Sequence, residues 1–304
     1  MATRRTILRG MLAATAAAAL PVPAGLAQGR PVTRHIPSTG EAMPAIGLGS
    51  WITFNVGNDP ELLNQCTDVM AAFLAGGGGM IDSSPMYGSS QNTIGHGLEQ
   101  LGRPRQAFAA DKVWTSDASG GREQISRSRR EWGVPRFDLM QVHNLVEWQA
   151  HLRTLRDMKA AGEIRYIGIT TSEGRRLDLF EEVMRDQPLD FVQVTYNILD
   201  REVEERILPL AEDRGMAVIA NRPFRQKELI HRLRRYPLPP WAGEIGATSW
   251  AQFVLKFIVT HPAVTVTIPA TTRVDHVREN LAAAADLLPD AATRRRMADY
   301  VRDL

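Results

Sequence analysis

Short apolar runs alternate with longer amphipathic segments from about residue 32 to the C-terminal part of the chain. Runs such as Phe108–Val113 and Phe191–Thr195 are short and continuous, which predicts strands buried on both faces. Segments such as Pro60–Ala75 repeat apolar residues every three or four positions, which predicts helices with one buried face. The pattern therefore predicts a regular alternation of strands and helices.

The alternation follows a predicted hairpin, in which the turn signal Ser38–Gly40 separates Val32–Pro37 from Glu41–Ile46. The predicted strands are Ile46–Trp51, Met80–Asp82, Phe108–Val113, Leu139–His143, Arg165–Ile169, Phe191–Thr195, Ala217–Ala220 and Thr265–Ile268. The predicted helices that follow them are Pro60–Ala75, Asn92–Leu101, Arg122–Trp132, Trp148–Ala161, Leu177–Arg185, Glu202–Arg214, Ser249–Thr260 and Val274–Ala285. A last helix is predicted over Asp290–Arg302.

Consecutive strand–helix units place the chain in the α/β class with a parallel sheet. Eight units in about 275 residues predict a closed (β/α)8 TIM barrel, with an N-terminal hairpin and an extra C-terminal helix, rather than an open sheet. The run Gly76–Gly79 ends a helix and precedes a strand, so we interpret it as a helix cap and turn rather than a phosphate-binding loop.

The first residues have the pattern of a targeting signal. Thr3–Arg9 contains the adjacent Arg4 and Arg5, and an Ala-rich apolar stretch follows. This order predicts a twin-arginine signal peptide over residues 1–27 and one domain over residues 28–304. The alternative is a membrane anchor, but the apolar stretch is shorter than the roughly 20 residues that a spanning helix needs. We therefore expect export to the periplasm or beyond, through the twin-arginine machinery, with no stable membrane anchor.

Charge and cysteine content exclude some classes of function. The net charge of the whole chain is +2, and the predicted leader holds arginines but no acidic residue. The remainder is therefore close to neutral, and we expect no binding to nucleic acid. Cys66 is the only cysteine and lies on the apolar face of a predicted helix, so we expect a buried packing residue rather than a nucleophile. No spacing typical of metal ligands is present.

Polar residues with catalytic potential lie at the ends of three consecutive predicted strands. Asp82 and Tyr87 belong to the second, Lys112 to the third and His143 to the fourth. Because active sites of (β/α)8 barrels lie at the carboxyl ends of the strands, we expect the four side chains to converge. Each one also has a purely structural alternative, as a helix cap, a rim aromatic, a solvated lysine or a packed histidine.

These four residue types make chemical sense together. A phenol has a pKa near 10, and a neighbouring ammonium lowers that pKa by favouring the phenolate. A carboxylate beside the ammonium holds it in place, and an imidazole can hydrogen-bond a carbonyl oxygen. The set suits protonation of a carbonyl oxygen while a hydride reaches the carbon, and the hydride requires a nicotinamide cofactor.

The sequence resembles the aldo-keto reductases from about Val32 to Ala285. Pro44–Trp51 is similar to the first strand of that family, and Ile81–Gly88 is similar to its Asp-x-x-x-x-Tyr-Gly motif. The resemblance implies that Tyr87 is the general acid/base, that Lys112 and Asp82 tune it, and that His143 orients the carbonyl.

The resemblance also implies residues that bind the nicotinamide carboxamide. Ile167–Thr171 is similar to a family segment that usually reads Ile-Gly-Val-Ser-Asn, so Thr170 and Thr171 stand where the family has its carboxamide-binding Ser and Asn. Thr170 keeps a hydroxyl, whereas Thr171 lacks the amide. Gln193 matches the family's carboxamide-binding Gln.

The next family segment departs further from the common pattern. Asn221 stands where many members have a Tyr that stacks on the nicotinamide, and Arg222–Arg225 replaces the common Ser-Pro-Leu-Gly. Arg222 or Arg225 is therefore expected at the cofactor diphosphate, and a solvated arginine is the alternative.

The last predicted strand leads into a segment similar to the one that grips the adenosine end of the cofactor. The residues placed there by the resemblance are Thr271, Thr272, Arg273, Glu279 and Asn280. The first three are placed to meet a 2′-phosphate, whereas Ala270 replaces a common lysine and His276 a common arginine. We expect NADPH as the cofactor, with NADH as the alternative.

Aromatic residues are expected around the mouth of the barrel. Trp51, Phe54, Trp114 and Trp148 lie in or beside the loops at the carboxyl ends of the strands, and packing beneath the loops is the alternative for each. An aromatic rim would suit an apolar or aromatic carbonyl compound, and Arg222–Glu244 could form a loop over the cofactor. We therefore expect an NADPH-dependent reductase of an aldehyde or ketone. The alternative is a non-catalytic barrel that binds the nucleotide as a sensor.

Overall fold

The computed structural model describes residues 31–285 and 287–304, so the predicted signal peptide lies outside the described residues. The strands are β1 Thr33–His35, β2 Ala42–Pro44, β3 Leu48–Gly49, β4 Met80–Asp82, β5 Phe108–Val113, β6 Phe137–Val142, β7 Ile164–Thr170, β8 Phe191–Thr195, β9 Ala217–Asn221 and β10 Val264–Thr267. The α-helices are α1 Pro60–Ala75, α2 Ser90–Gln100, α3 Gly121–Trp132, α4 Trp148–Ala160, α5 Leu177–Asp186, α6 Ile207–Asp213, α7 Glu228–Leu233, α8 Trp250–Val259, α9 Val274–Ala282 and α10 Ala291–Arg302. Within the described ranges, every helix is too short or too polar to cross a membrane.

Strands β3 to β10 form one parallel sheet in chain order. Its two edges meet, because parallel bridges join Ile46 to Thr267 and Gly49 to Ala270. Gly49 permits this closure, since a Cβ there would lie 2.7 Å from the Ile268 carbonyl oxygen. The strands therefore close into the predicted (β/α)8 barrel.

The antiparallel hairpin of β1 and β2 covers the amino ends of the barrel strands. Thr39 Oγ1 is hydrogen-bonded to Tyr166 Oη at 2.8 Å, and Arg165 forms ion pairs with Glu41 and Asp138. The barrel interior beneath the hairpin is filled by apolar side chains, including Ile36, Met43, Met80, Phe108, Leu139 and Phe191. The opposite end, where the strands terminate, is left for a functional site.

Local sequence explains the sharp bounds of α1. Asp59 caps the helix by accepting hydrogen bonds from the Glu61 and Leu62 amides at 2.9 and 3.1 Å, a contribution of about 1 kcal/mol. The helix ends at Ala75, and Gly77 adopts a φ of 88°, which favours glycine. The predicted role of the glycine run as a cap and turn is confirmed.

The structure departs from the predicted helices in two segments. The predicted helix Glu202–Arg214 is a short 3-10 turn followed by α6, and α7 was not expected from the sequence. Only two side chains of α7, Leu229 and Leu233, are buried. A single pair of apolar positions gives no periodic signal, so packing against the barrel decides that this helix forms.

Candidate active site

A buried ion pair occupies the carboxyl end of the barrel. Asp82 ends β4 and Lys112 lies near the end of the neighbouring β5. Lys112 Nζ lies 2.5 Å from Asp82 Oδ2 and donates to the Ser83 carbonyl at 2.7 Å, and both charged side chains are buried. Burial alone would lower the pKa of Lys112, but Asp82 and Tyr87 raise it above its ordinary value, so the ammonium stays charged.

Tyr87 lies beside this ion pair, in the loop after β4. The centroid of its ring is 5.1 Å from Lys112 Nζ. Burial raises the pKa of Tyr87 and the Lys112 charge opposes that rise, with a net pKa above the ordinary 10.0. The phenol therefore keeps its proton at neutral pH while an ammonium is ready to stabilise the phenolate, which is the arrangement of a general acid.

His143 follows β6 and faces the same phenol. Its ring centroid lies 5.8 Å from that of Tyr87, with the planes nearly perpendicular. Burial, with a smaller contribution from Lys112, lowers the pKa of His143 to about 3, so the imidazole is neutral. Ser84 Oγ accepts from the Met86 amide at 3.2 Å and is 2.8 Å from His143 Nδ1. In the tautomer whose Nδ1 accepts from this hydroxyl, the imidazole proton is on Nε2, where it can be donated into the cavity.

A network of amides extends from Asp82 across the barrel. Gln193 Nε2 donates to Asp82 Oδ1 at 3.0 Å, and Asn221 Nδ2 donates to Gln193 Oε1 at 3.4 Å. Asn221 Oδ1 accepts from Thr195 Oγ1 at 2.8 Å, and its amide also donates to the Thr171 carbonyl at 3.0 Å. From Thr195 through Asn221 and Gln193, each donor is directed toward the Asp82 carboxylate, so the network fixes the position of that side chain.

Two adjoining cavities open at this end of the barrel. The first, the catalytic cavity, has a volume of about 270 Å³ and is lined by Asp82, Tyr87 and His143 among other residues. The second, the outer cavity, also has a volume of about 270 Å³ and lies beside the start of α9. Both are lined by Thr53, Phe224, Lys227 and Ala270, which we call the junction. Together they provide a continuous elongated site.

Residues 45–233, more than half of the chain, match the aldo/keto reductase family. The chain belongs to this family. It is an oxidoreductase, and the resemblance expected from the strand-end motifs is confirmed.

Individual relatives agree with the family match. An aldo-keto reductase of Bacillus subtilis is 29% identical over 202 residues, a match that covers 60% of this chain and 59% of that protein. The NADH-specific methylglyoxal reductase of Escherichia coli is 26% identical over 253 residues, covering 71% of this chain and 73% of that protein. An aldo-keto reductase of Klebsiella pneumoniae in complex with NADPH has the same fold, with a TM-score of 0.74 at 22% identity over 89% of this chain and 95% of that chain.

In this reductase the residues expected at the nicotinamide line the catalytic cavity. They are Thr170, Thr171, Gln193 and Asn221. Several of their polar groups already have partners within the chain. Thr170 Oγ1 accepts from the backbone N–H of Asn144 at 3.2 Å, and the Thr171 hydroxyl donates to the backbone carbonyl of Arg175.

The two arginines expected at the diphosphate are both paired with carboxylates. Arg222 Nη1 lies 2.9 Å from Glu173 Oε1, and Arg225 Nε lies 2.8 Å from Asp200 Oδ2. Arg222 lines the catalytic cavity, whereas Arg225 lines neither cavity. The partly exposed guanidinium of Arg225 therefore pairs with Asp200 outside both cavities.

The residues expected at the adenosine end line the outer cavity. They are Thr271, Thr272, Arg273, Glu279 and Asn280. Arg273 Nε donates to Asp275 Oδ1 at 2.9 Å, and Thr271 Oγ1 is 3.2 Å from His276 Nδ1. The residues that the resemblance assigns to the two ends of the cofactor therefore line the two adjoining cavities.

The four aromatic residues expected at the mouth divide into two pairs. Trp51 lines the catalytic cavity, and Trp114 is 40% exposed with its ring centroid 6.5 Å from that of His143. Phe54 is fully buried in the core, and Trp148 packs against that core, so neither lines the cavity. For these two residues the expectation was wrong, because their side chains turn into the packing beneath the loops.

Sequence reasoning missed several residues of the site. Ile52 and Met86 are exposed apolar side chains that line the catalytic cavity, and Asn144 contributes a buried side-chain oxygen with no hydrogen-bond partner. Met86 and Asn144 adjoin Tyr87 and His143, so proximity to the motif was the available signal. No group of residues in the described ranges could hold a metal ion.

Proposed function

We propose that this reductase converts an aldehyde or ketone to an alcohol, with NADPH as the preferred hydride donor and NADH as an alternative. The observation that carries the proposal is the buried Asp82–Lys112 ion pair against Tyr87, at the wall of an elongated cavity. The Klebsiella pneumoniae neighbour in complex with NADPH and the NADH-specific Escherichia coli relative support both cofactor options.

The residues present fit a nicotinamide dinucleotide. Among the described residues that line the two cavities, two buried side-chain oxygens have no hydrogen-bond partner, Asn144 Oδ1 in the catalytic cavity and Thr53 Oγ1 at the junction. A carboxamide NH₂ is a donor suited to the first. When bound, the dinucleotide would supply the hydride. Gln193 and Asn144 would hold its nicotinamide end, and Thr271–Arg273 with Asn280 its adenosine end.

Proton delivery is the work of the chain's own residues. Tyr87 donates its proton to the carbonyl oxygen as negative charge develops there. Lys112 stabilises the resulting phenolate, and Asp82 holds the ammonium at this position. His143 donates a hydrogen bond from Nε2 to the same oxygen and orients the carbonyl.

The rim of the catalytic cavity suggests the class of substrate. Trp51, Ile52 and Met86 line the cavity, and the ring centroid of Trp114 lies 6.5 Å from that of His143. Ile52, Met86 and Trp114 are among the exposed large hydrophobic residues of the described chain. Burying such side chains against a ligand is favourable by about 25 cal/mol per Å² of apolar surface. We therefore propose an apolar or aromatic carbonyl compound as the substrate.

Charge in the outer cavity favours NADPH over NADH. The cationic side chains that line it are Lys227, Arg234 and Arg273, against the single acidic residue Glu279. Arginine and lysine side chains at such a position favour a 2′-phosphate. Affinity for NADPH and NADH, measured by quenching of protein fluorescence, tests this preference.

Tyr87→Phe tests the catalytic assignment. We expect kcat for a panel of aldehydes and ketones to fall by roughly 100- to 10,000-fold, because the general acid is lost. Affinity for NADPH should be unchanged, and the exposed Tyr236→Phe is the matched control. Equal turnover in Tyr87→Phe and Tyr236→Phe would contradict the assignment.

A non-catalytic role as a nucleotide sensor is the second candidate. It is favoured by Thr171 and Asn221, whose polar groups are engaged within the chain rather than free for the nicotinamide. Binding of NADPH without turnover of any carbonyl in the panel would support this role over the reductase.

We also propose that residues 1–27 direct a mature domain of residues 28–304 out of the cytoplasm by the twin-arginine route. The support is the Arg4–Arg5 pair before an apolar stretch and small residues. Replacing both arginines by lysine should retain the chain in the cytoplasm. N-terminal sequencing of the exported form should begin near residue 28.

A further inference from the structure

The junction between the two cavities contains a cation that the ion pairs around it do not use. Lys227 is exposed and lines both cavities. Within the described ranges its ammonium has no carboxylate partner, whereas Arg222 and Arg225 beside it are paired with Glu173 and Asp200. Of the basic residues in this loop, only Lys227 is available to a ligand that spans both cavities.

A second polar group at the junction also lacks a partner. The Thr53 hydroxyl oxygen is buried and makes no hydrogen bond within the described chain. Thr53 lines both cavities from the loop between β3 and α1, whereas Lys227 lines them from the loop between β9 and α7. Leaving a buried hydroxyl unpaired is costly, and this one can donate to a ligand group that accepts hydrogen bonds.

The backbone around Lys227 is held in an unfavourable conformation. Four residues, Arg222, Arg225, Gln226 and Lys227, have left-handed φ values of 53°, 46°, 56° and 81°. Only glycine adopts this region without a steric penalty, and such strain concentrates at ligand-binding sites. A glycine at position 227 would therefore suit the fold better than the lysine does, and the fold gives no reason for a lysine there.

We infer that Lys227, with the Thr53 hydroxyl, holds the diphosphate that joins the two halves of the dinucleotide. The inference rests on the proposed function, because a ligand with one end at Tyr87 and the other beside α9 must pass the junction. A diphosphate is doubly anionic and accepts several hydrogen bonds, which matches one ammonium and one hydroxyl. The strain at position 227 is then the cost of placing that ammonium between the cavities.

The test compares ligands that contain the diphosphate with ligands that lack it. Isothermal titration with NADP⁺ and with adenosine 2′,5′-bisphosphate measures both affinities for the wild type, Lys227→Gln and Lys227→Gly. We expect both variants to bind NADP⁺ about tenfold more weakly, since a charge-assisted hydrogen bond is lost. Affinity for the bisphosphate should stay within about twofold of the wild type. Thr53→Val should lower the affinity for NADP⁺ but not for the bisphosphate, and Thr53→Ser should keep the wild-type affinity for NADP⁺.

Thermal unfolding tests the strain independently of any ligand. Lys227→Gly should raise Tm by about 1–2 °C relative to Lys227→Gln, because glycine removes the Cβ clash but gains freedom in the unfolded chain. In Lys227→Gly, affinity for NADP⁺ is then lower than in the wild type, while Tm is higher than in Lys227→Gln. A lysine with only a structural role would not produce this result.

Arg234→Gln is the matched control, since Arg234 lines the outer cavity alone. Arg234→Gln should lower the affinities for NADP⁺ and for the bisphosphate by the same factor. Unchanged NADP⁺ affinity in Lys227→Gln would overturn the inference while leaving the proposed function intact. If the wild type binds neither ligand, both the proposed function and the inference about the diphosphate are overturned. The Tm comparison would still decide whether position 227 is strained.

Discussion

The catalytic end of the site and its rim loop are constructed differently. Asp82, Lys112 and His143 lie on or directly after barrel strands, are buried, and are fixed by backbone geometry and by one another. The loop of residues 222–227 has a left-handed backbone and is fastened by the partly exposed ion pairs of Arg222 and Arg225. Proton transfer requires fixed distances, whereas a loop that admits a large ligand is held by contacts that cost little to break.

The largest effect should come from breaking the buried ion pair. Lys112→Met leaves the Asp82 carboxylate buried without a cationic partner, so the free energy of unfolding should fall by about 3–5 kcal/mol. The double variant Asp82→Asn with Lys112→Met should recover much of that stability and none of the activity. Urea unfolding measures both. A double variant no more stable than Lys112→Met would contradict the role of the pair.

A smaller effect should appear as pH is lowered. The folded-state pKa of His143, about 3, is below its ordinary 6.5, so the unfolded chain binds more protons between these values. The contribution of the neutral His143 to the free energy of unfolding is therefore fully present above pH 6.5 and is lost progressively as pH falls toward 3. Tm should therefore fall less steeply with pH in His143→Gln than in the wild type. His231→Gln, at an exposed position, should keep the wild-type slope.

The buried His261 adds a parallel contribution that His143→Gln leaves in place. Burial, followed by the Arg294 charge, lowers the pKa of His261 to about 4. The slope of Tm against pH should therefore be reduced but not abolished in His143→Gln. Identical slopes in all three proteins would show that His143 is not held neutral by the fold.

The smallest effect should come from the rim. Glu173→Gln removes the partner of Arg222, and because this pair is partly exposed the free energy of unfolding should change by less than about 1 kcal/mol. Affinity for NADP⁺ should rise slightly, since a guanidinium at the catalytic cavity is released. Glu182→Gln, on the exposed side of α5, is the control. A loss of stability like that of Lys112→Met would remove the contrast between the two regions.

The strand-end residues were predictable because their signals are local. A short apolar run predicts a strand, and neighbouring parallel strands have their carboxyl ends on the same side of the barrel. Asp82, Lys112 and His143 each lie at or next to such a carboxyl end. Phe54 and Trp148 were not predictable in the same way. An aromatic residue in a loop can face the cavity or the core, and only the packing of neighbouring elements decides between them.

The rim loop of residues 222–227, before α7, shows the same limit. Its composition indicated basic residues near the cofactor, but not which of them would be neutralised. Arg222 and Arg225 have carboxylate partners that are distant in sequence, on the loops after β7 and β8. Lys227 has none within the described residues, and this difference arises only when the loops are brought together.

The sequence by itself determined the alternation of strands and helices, the barrel, and the residues at the carboxyl ends of its strands, because periodicity and strand ends are properties of neighbouring residues. Only the tertiary structure decided the rest. It set the distance from Lys112 Nζ to Asp82, the neutrality of His143, the burial of Phe54, and which cation of the rim loop remains unpaired. Each of these depends on burial and on partners far apart in the chain, and a short stretch of sequence predicts neither the burial nor the partners.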